Sequence, residues 1–110
     1  MVRVTLYVNA ADELTAFRLY GHAGFDEAGS DIVCAAISVL TINTINAVDV
    51  LTDARWTRDE DGDAGYMEFH LKDTKNAAAL LLLKAYRLGM EQIRDEYGEY
   101  LEIMYEEVTR

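Results

Sequence analysis

The segment from Asp31 to Leu51 constrains the fold most, because it is long, apolar and patterned for an α-helix. Its apolar positions recur at steps of three or four, through Val33, Ile37, Leu40, Thr44, Val48 and Leu51. Its β-branched residues disfavour a helix intrinsically, but its length and the Ser30-Asp31 start signal favour one. Apolar side chains lie on more than one face, so we expect this helix to be covered on several sides.

The rest of the chain alternates apolar and polar residues and predicts five strands and a second helix. The predicted strands cover residues 2–8, 16–20, 55–58, 66–71 and 100–108, and the second helix covers 76–97. The acidic stretch 59–65 is predicted to be a hairpin tip. The order ββαββαβ predicts an α+β fold, with two helices on one face of a mostly antiparallel sheet. At 110 residues the chain is predicted to form a single domain over residues 1–110.

The charge balance and the cysteine count exclude several classes of protein. The chain carries 20 Asp and Glu against 10 Lys and Arg, a net charge of −10, so we expect no direct nucleic-acid binding. The single cysteine excludes a disulfide framework and a multi-cysteine zinc site, and we expect no metal and no cofactor. The N-terminus lacks a secretory signal, and no 18-residue apolar stretch is free of polar residues. We therefore expect a cytoplasmic protein that does not span a membrane.

Cys34 and His22 are the residues that could support nucleophilic catalysis. Cys34 falls in the first turn of the helix predicted to begin at Asp31, where free N–H groups and the helix dipole favour a thiolate. His22 lies in the glycine-rich segment 21–30, a predicted loop that could fold back onto the helix start. A thiol beside an imidazole suffices for acyl transfer, and the same N–H groups could hold an oxyanion.

A structural interpretation of the same residues stays open. A lone cysteine in an apolar helix is commonly a small buried hydrophobe, and a histidine beside glycine is commonly a turn residue. His70 alternates onto the polar side of its strand, so we interpret it as a solvated surface residue. The residues therefore leave three hypotheses: a cysteine peptidase, a non-catalytic ribosome-assembly or basic-peptide-binding module with a structural cysteine, and a redox sensor that uses Cys34.

One stretch of the chain resembles the signature of the ribosomal-processing cysteine protease family, Prp. The family pattern is GHA, a short variable stretch, then G-x-DIVCAA-[VI]-S, and every fixed position is present between Gly21 and Ser38. The resemblance implies that Cys34 is the nucleophile and His22 the general base. It assigns possible supporting positions to Asp31 and Ser38, and makes Gly21 and Gly29 hinges of the loop between them.

The resemblance also implies a substrate and an assembly. Prp enzymes are cysteine endopeptidases that remove the N-terminal extension of large-subunit ribosomal protein twenty-seven, cutting after a pair of aromatic residues. The family is homodimeric, which agrees with a helix that is apolar on several faces. Ribosomal extensions are basic, so the acidic charge of this chain suits such a partner.

Overall fold

The computed structural model of the protein describes residues 1–21, 28–61 and 65–108, with the backbone alone for residues 28–31. Seven elements follow in the order β1 (Val2–Val8), β2 (Leu14–Tyr20), α1 (Ala28–Leu51), β3 (Trp56–Asp61), β4 (Tyr66–Leu71), α2 (Ala77–Tyr97) and β5 (Leu101–Glu107). The predicted ββαββαβ order is confirmed.

The five strands form one sheet in the order β3-β4-β2-β1-β5. The β1–β2, β2–β4 and β3–β4 pairs are antiparallel, whereas β5 lies parallel to β1 along its whole length, from Val2 opposite Leu101 to Val8 opposite Glu107. The sheet is therefore mostly antiparallel, as the α+β prediction required. The chain's last strand is added at one edge, beside its first.

Both helices pack on the same face of this sheet. The strands bury alternate side chains beneath the helices, among them Leu6, Phe17 and Phe69, each with no exposed surface. The Tyr86 ring of α2 lies 4.5 Å from that of Phe17, between ring centroids. The alternation predicted for β4 is confirmed, since Met67, Phe69 and Leu71 are buried while the intervening residues are half-buried. In the described part of the chain no helix covers the other face of the sheet, which we call the open face.

Helix α1 is apolar on two sides, and only one of them faces the core. Val33, Ile37, Ile45 and Val48 are almost fully buried, and this stripe packs on the sheet and α2. The segment Ile32–Leu51 has a mean hydropathy of 1.6 and is long and apolar enough to cross a membrane by length and composition alone, a match that the sequence analysis did not expect. Its buried stripe is the pattern of a core helix.

Helix α2 begins at an Asn cap and crosses α1 closely. The side-chain oxygen of Asn76 accepts a hydrogen bond of 3.0 Å from the Ala79 N–H, which satisfies a backbone donor of the first turn. Gly89 lies so near α1 that a Cβ there would come within 2.8 Å of a Leu40 methyl group. The glycine therefore lets the two helices approach.

Three predicted boundaries are wrong by two residues or more. Strand β2 begins at Leu14, two residues before the predicted start at Ala16. Helix α1 begins at Ala28, three residues before the predicted start at Asp31. The predicted hairpin tip 59–65 is too long, because β3 continues to Asp61, which pairs with Tyr66. An edge strand pairs on one side only and accepts charged side chains, so an acidic stretch is compatible with it.

Candidate active site

Cys34 lies on α1 at the border between the buried stripe and the outer surface. Its side chain is half-buried and packs against the hydrophobic core, next to the fully buried Val33. Ile32 is 64% exposed, and Ala35 and Ala36 are also exposed, so solvent reaches the helix surface on both sides of the cysteine. The Cys34 side chain is therefore less buried than the structural interpretation requires, and it is not fully exposed either.

The position of Cys34 relative to the helix start differs from the prediction. It is the seventh residue of α1, so it lies in the second turn and not in the first. The dipole of a helix acts mainly within its first turn, and the N–H of Cys34 belongs to the regular ladder of the helix. Side chains lean toward the N-terminus of a helix, so the thiol is directed over the turn whose N–H groups lack helical partners.

Ser38 and Gly29 are motif residues that the structure places on α1. Ser38 is half-buried and stands one turn after Cys34, on the same side of the helix. Gly29 is the second residue of α1, so it lies in the helix and not in the predicted loop. The backbone of Asp31 is also helical. The supporting and hinge roles of these residues remain predictions.

Gly21 directly follows β2 in a backbone conformation that favours glycine. Its φ angle is +80°, and an added Cβ would lie 3.1 Å from the carbonyl oxygen of Met1. Its N–H donates a hydrogen bond of 3.0 Å to the carbonyl oxygen of Gly65, which itself has a φ of +64° just before β4. The segment that carries the GHA motif therefore leaves the sheet from a fixed point. A glycine directly before a strand is a turn signal, so the sequence pattern at Gly65 could have predicted this turn.

His22, the predicted general base, lies outside the described residues. Its neighbour Gly21 fixes where the segment starts, and the backbone returns at Ala28, six residues before Cys34. The pairing of His22 with Cys34 remains a prediction.

His70 is placed where the sequence predicted it, on the polar side of β4. Its Nε2 lies 3.3 Å from a Glu68 carboxylate oxygen, and its ring stacks on that of Tyr7 with centroids 6.4 Å apart. This is the open face of the sheet, whereas Cys34 belongs to a helix on the other face. His70 is therefore not a competing base for Cys34. In the described part of the chain no group of three His, Cys, Asp or Glu residues is arranged to hold a metal ion.

Comparison with known proteins matches this arrangement over nearly the whole chain. The sequence model of a family described as Cysteine protease Prp covers residues 1–102. The ribosomal processing cysteine protease Prp of Staphylococcus aureus is 32% identical over 105 residues, which is 96% of this chain and 99% of that protein. The chain belongs to the Prp family of cysteine proteases.

Two solved structures of the essential ribosomal processing protease Prp from S. aureus share the Prp fold of this chain. One, in complex with a substrate peptide, has a TM-score of 0.91 at 31% identity and covers 96% of this chain and 100% of its own. The other, in complex with a covalently linked product peptide, has a TM-score of 0.88 at 32% identity with the same coverage. As a Prp family member, the protein is a cysteine protease of the ribosomal-processing type.

Proposed function

We propose that this protease removes the N-terminal extension of large-subunit ribosomal protein twenty-seven, cutting after a pair of aromatic residues. The observation that carries the proposal is the complete GHA and G-x-DIVCAA-I-S motif on a chain whose fold matches a ribosomal processing protease that holds a substrate peptide. The net charge of −10 suits a basic extension and opposes tight binding of ribosomal RNA. The protein would act in the cytoplasm, where a thiol stays reduced.

In the proposed mechanism Cys34 is the nucleophile and His22 the general base. His22 takes the thiol proton, and the thiolate attacks the carbonyl that follows the aromatic pair. N–H groups at the start of α1, over which the cysteine leans, stabilise the tetrahedral oxyanion. His22 returns its proton to the leaving amine, and water hydrolyses the thioester. A relative that holds a covalently linked product peptide supports a covalent intermediate.

The remaining motif residues have supporting roles in this proposal. Asp31 and Ser38 flank Cys34 by three and four residues on α1, so they share its side of the helix. Gly21 and Gly29 bound the segment that carries His22 and let it move as substrate enters. We assign them to positioning and hinge motion, because none is a nucleophile or a base at the reacting atoms.

We propose further that the protein is a homodimer that pairs through the outer face of α1. Ile32, Val39 and Val50 are 64%, 70% and 75% exposed, and they repeat at helical spacing without a charged residue between them on that face. Exposed Asn43 and Asn46 lie between Val39 and Val50 on this face. Exposed apolar side chains rimmed by polar ones are typical of a protein–protein contact. The proposal of a dimer is supported by this second apolar side of α1, which does not pack in the core.

A cleavage assay tests the protease proposal against its two alternatives. The substrate is a synthetic peptide of the extension that spans the aromatic pair, and its products are identified by mass spectrometry. We expect cleavage by the wild type, none by Cys34→Ala and a sharp loss in His22→Ala. His70→Ala is the matched histidine control and should keep the wild-type rate, because His70 lies on the opposite sheet face.

Each other outcome points to a different function. Normal cleavage by Cys34→Ala would refute Cys34 as the nucleophile. Binding of the peptide without cleavage would favour the non-catalytic module with a structural cysteine. Oxidation of Cys34 with neither binding nor cleavage would favour the redox sensor.

A further inference from the structure

The open face of the sheet carries tyrosine rings in its middle and carboxylates at its edges. The β-ladder pairings place Tyr66, Tyr20 and Arg3 side by side across three strands, and Tyr7 lies further along β1. Tyr20 is 52% exposed, and its ring meets that of Tyr66 edge-on with centroids 5.8 Å apart. The Tyr20 ring offers an accessible surface that ends in a hydroxyl group, beside the half-buried rings of Tyr66 and Tyr7.

Carboxylates border this surface on both edge strands. Asp59 and Asp61 lie on β3, and Glu102 and Glu106 lie on β5, at alternate positions that face the open side. With four strand spacings between them, the two edges stand about 19 Å apart. Together with Glu68, these are five carboxylates on the face, against two arginines within the strands.

The two arginines are matched by carboxylates, which leaves the excess charge negative. The Nε of Arg3 lies 4.0 Å from a Glu102 oxygen, and Arg18 stands opposite Glu68 in the β2–β4 ladder. Burial raises the pKa of Tyr7, and the nearby Glu106 and Glu68 carboxylates raise it further, while Arg18 lowers it. Five carboxylates against two arginines leave this face with a net negative charge, which favours cationic ligands.

This face is continuous with the segment that carries the active-site motif. Tyr20 is the last residue of β2, and Gly21 and His22 follow it directly. From Tyr20 to Ala16 the face extends about 13 Å along β2, a length that four extended residues span. Cys34 lies on the helix side of the sheet, so a substrate protein whose scissile bond lies there reaches the open face with a second segment that passes around the sheet.

We propose that the open face is an exosite that docks a lysine- and arginine-rich segment of the substrate protein outside the scissile region. The inference rests on the proposed function, since it names how that substrate is recognised. Cationic side chains stack on tyrosine rings through cation–π contacts and pair with the bordering carboxylates. Aromatic sheet faces also stack nucleobases, but the carboxylate excess repels the phosphates that would accompany them.

Two variants with equal charge change test the exosite. The face variant is Asp59→Asn/Glu106→Gln, with one change on each edge, and neither carboxylate forms an ion pair within the described residues. The control is Glu96→Gln/Glu99→Gln, two exposed carboxylates at the end of α2. Two substrates are compared: the full-length precursor of the ribosomal protein, and the cleavage peptide with every Lys and Arg replaced by Gln.

We expect the face variant to raise KM for the full-length precursor about fivefold, with little change in kcat. Its kcat/KM on the neutral peptide should stay within twofold of wild type, and the control should match wild type on both substrates. The difference on the precursor should shrink as salt is added. The exosite would be refuted if the face variant and the control changed KM for the precursor equally. It would also be refuted if the face variant lost kcat/KM equally on both substrates.

A binding measurement separates this inference from the proposed function. A fluorescein-labelled dodecapeptide of alternating Lys, Arg and Gly is titrated with the wild type and both variants. Weaker binding by the face variant alone supports the exosite even if the precursor is not cleaved, in which case the proposed substrate has failed by itself. Equal binding by all three proteins refutes the exosite. Tighter binding of a labelled oligouridine than of the dodecapeptide also refutes it.

Discussion

The hydroxyl groups of Thr41 and Tyr86 form a buried hydrogen bond of 2.9 Å that joins α1 to α2. Both residues are 1% exposed, and burial raises the pKa of Tyr86, whose hydroxyl therefore stays neutral. Thr41 lies two turns after Cys34 on the same helix. The bond thus fixes the position of the nucleophile's helix against the rest of the core.

The two partners of that bond are expected to contribute to the stability of the protein as a unit. Tyr86→Phe or Thr41→Val alone should lower the free energy of unfolding by about 1–3 kcal/mol, because a buried hydroxyl loses its partner. The double variant should cost less than the sum of the two single variants. Urea unfolding of the four proteins gives the coupling energy. A coupling energy of zero would contradict the hydrogen bond between Thr41 and Tyr86.

Gly89 is expected to be coupled to Leu40. Alanine in place of a helical glycine stabilises a helix by about 1 kcal/mol, but the added Cβ would meet the Leu40 methyl group. Gly89→Ala should therefore stabilise the protein more in a Leu40→Ala background than in the wild type. Thermal or urea unfolding of both pairs measures the difference. If Gly89→Ala changes stability equally in the wild type and in Leu40→Ala, the Leu40 side chain does not restrict residue 89.

Asp73 is expected to make stability depend on acid pH. The hydrogen bonds from the Arg55 side chain and backbone hold the pKa of Asp73 below its ordinary value of 3.8. A lowered folded-state pKa adds stability that is present above the ordinary value and is lost as pH falls through the lowered one. Asp73→Asn should remove this part of the acid destabilisation. Urea midpoints over a pH series measure it, with Glu99→Gln as an exposed control.

If Asp73→Asn and wild type lose stability with the same slope in acid, Arg55 does not hold this carboxylate in solution. The Arg55–Asp73 pair is supported only if the wild type also loses stability as the pH falls from the ordinary Asp73 pKa of 3.8 through the lowered one.

The proposed dimer is expected to dissociate when a charge enters the outer face of α1. Val39 is 70% exposed on that face, so Val39→Glu should reduce the sedimenting mass to that of one chain without unfolding it. Leu88→Glu is the matched control, because Leu88 is 59% exposed on α2. A monomeric wild type, or equal dissociation in both variants, would contradict pairing through α1.

Cys34 is expected to react with iodoacetamide faster than an ordinary thiol at neutral pH. An imidazole that stabilises the thiolate raises its reactive fraction, and the half-buried position leaves the sulfur within reach of a small reagent. His22→Ala should slow labelling, which mass spectrometry of the intact chain follows with time. The absence of labelling in the folded wild type would support the structural interpretation of the cysteine.

The sequence predicted the elements well where burial on one side sets a regular pattern. Strand β4 shows this, because Phe69 and its neighbours alternate with polar residues and a shift by one would expose the core side. The acidic stretch from Asp59 is predicted to be a turn, since aspartate favours turns locally. The structure pairs it as an edge strand, and that pairing depends on β4 rather than on the stretch itself.

At the candidate active site the sequence predicted that Cys34 lies on α1, but it did not predict the position of Cys34 within the helix. The motif placed Cys34 on α1, but the Ser-Asp start signal set the helix start too late, because short capping signals compete with other nearby starts. The complete burial of Tyr86 could not be predicted either. It arises from the crossing of two helices far apart in sequence, and its partner Thr41 carries no local mark of that contact.

The parallel pairing of β1 with β5 limits when the protein can fold during translation. β1 leaves the translating ribosome early, yet its neighbour on one side is β5, which follows both helices in the sequence. Until Leu101 and the residues after it emerge, Val2 and Val4 lack part of their cover and the core stays open. The core of this enzyme can therefore close only after β5 has left the ribosome, and β1 stays without its neighbour on that side while both helices are made.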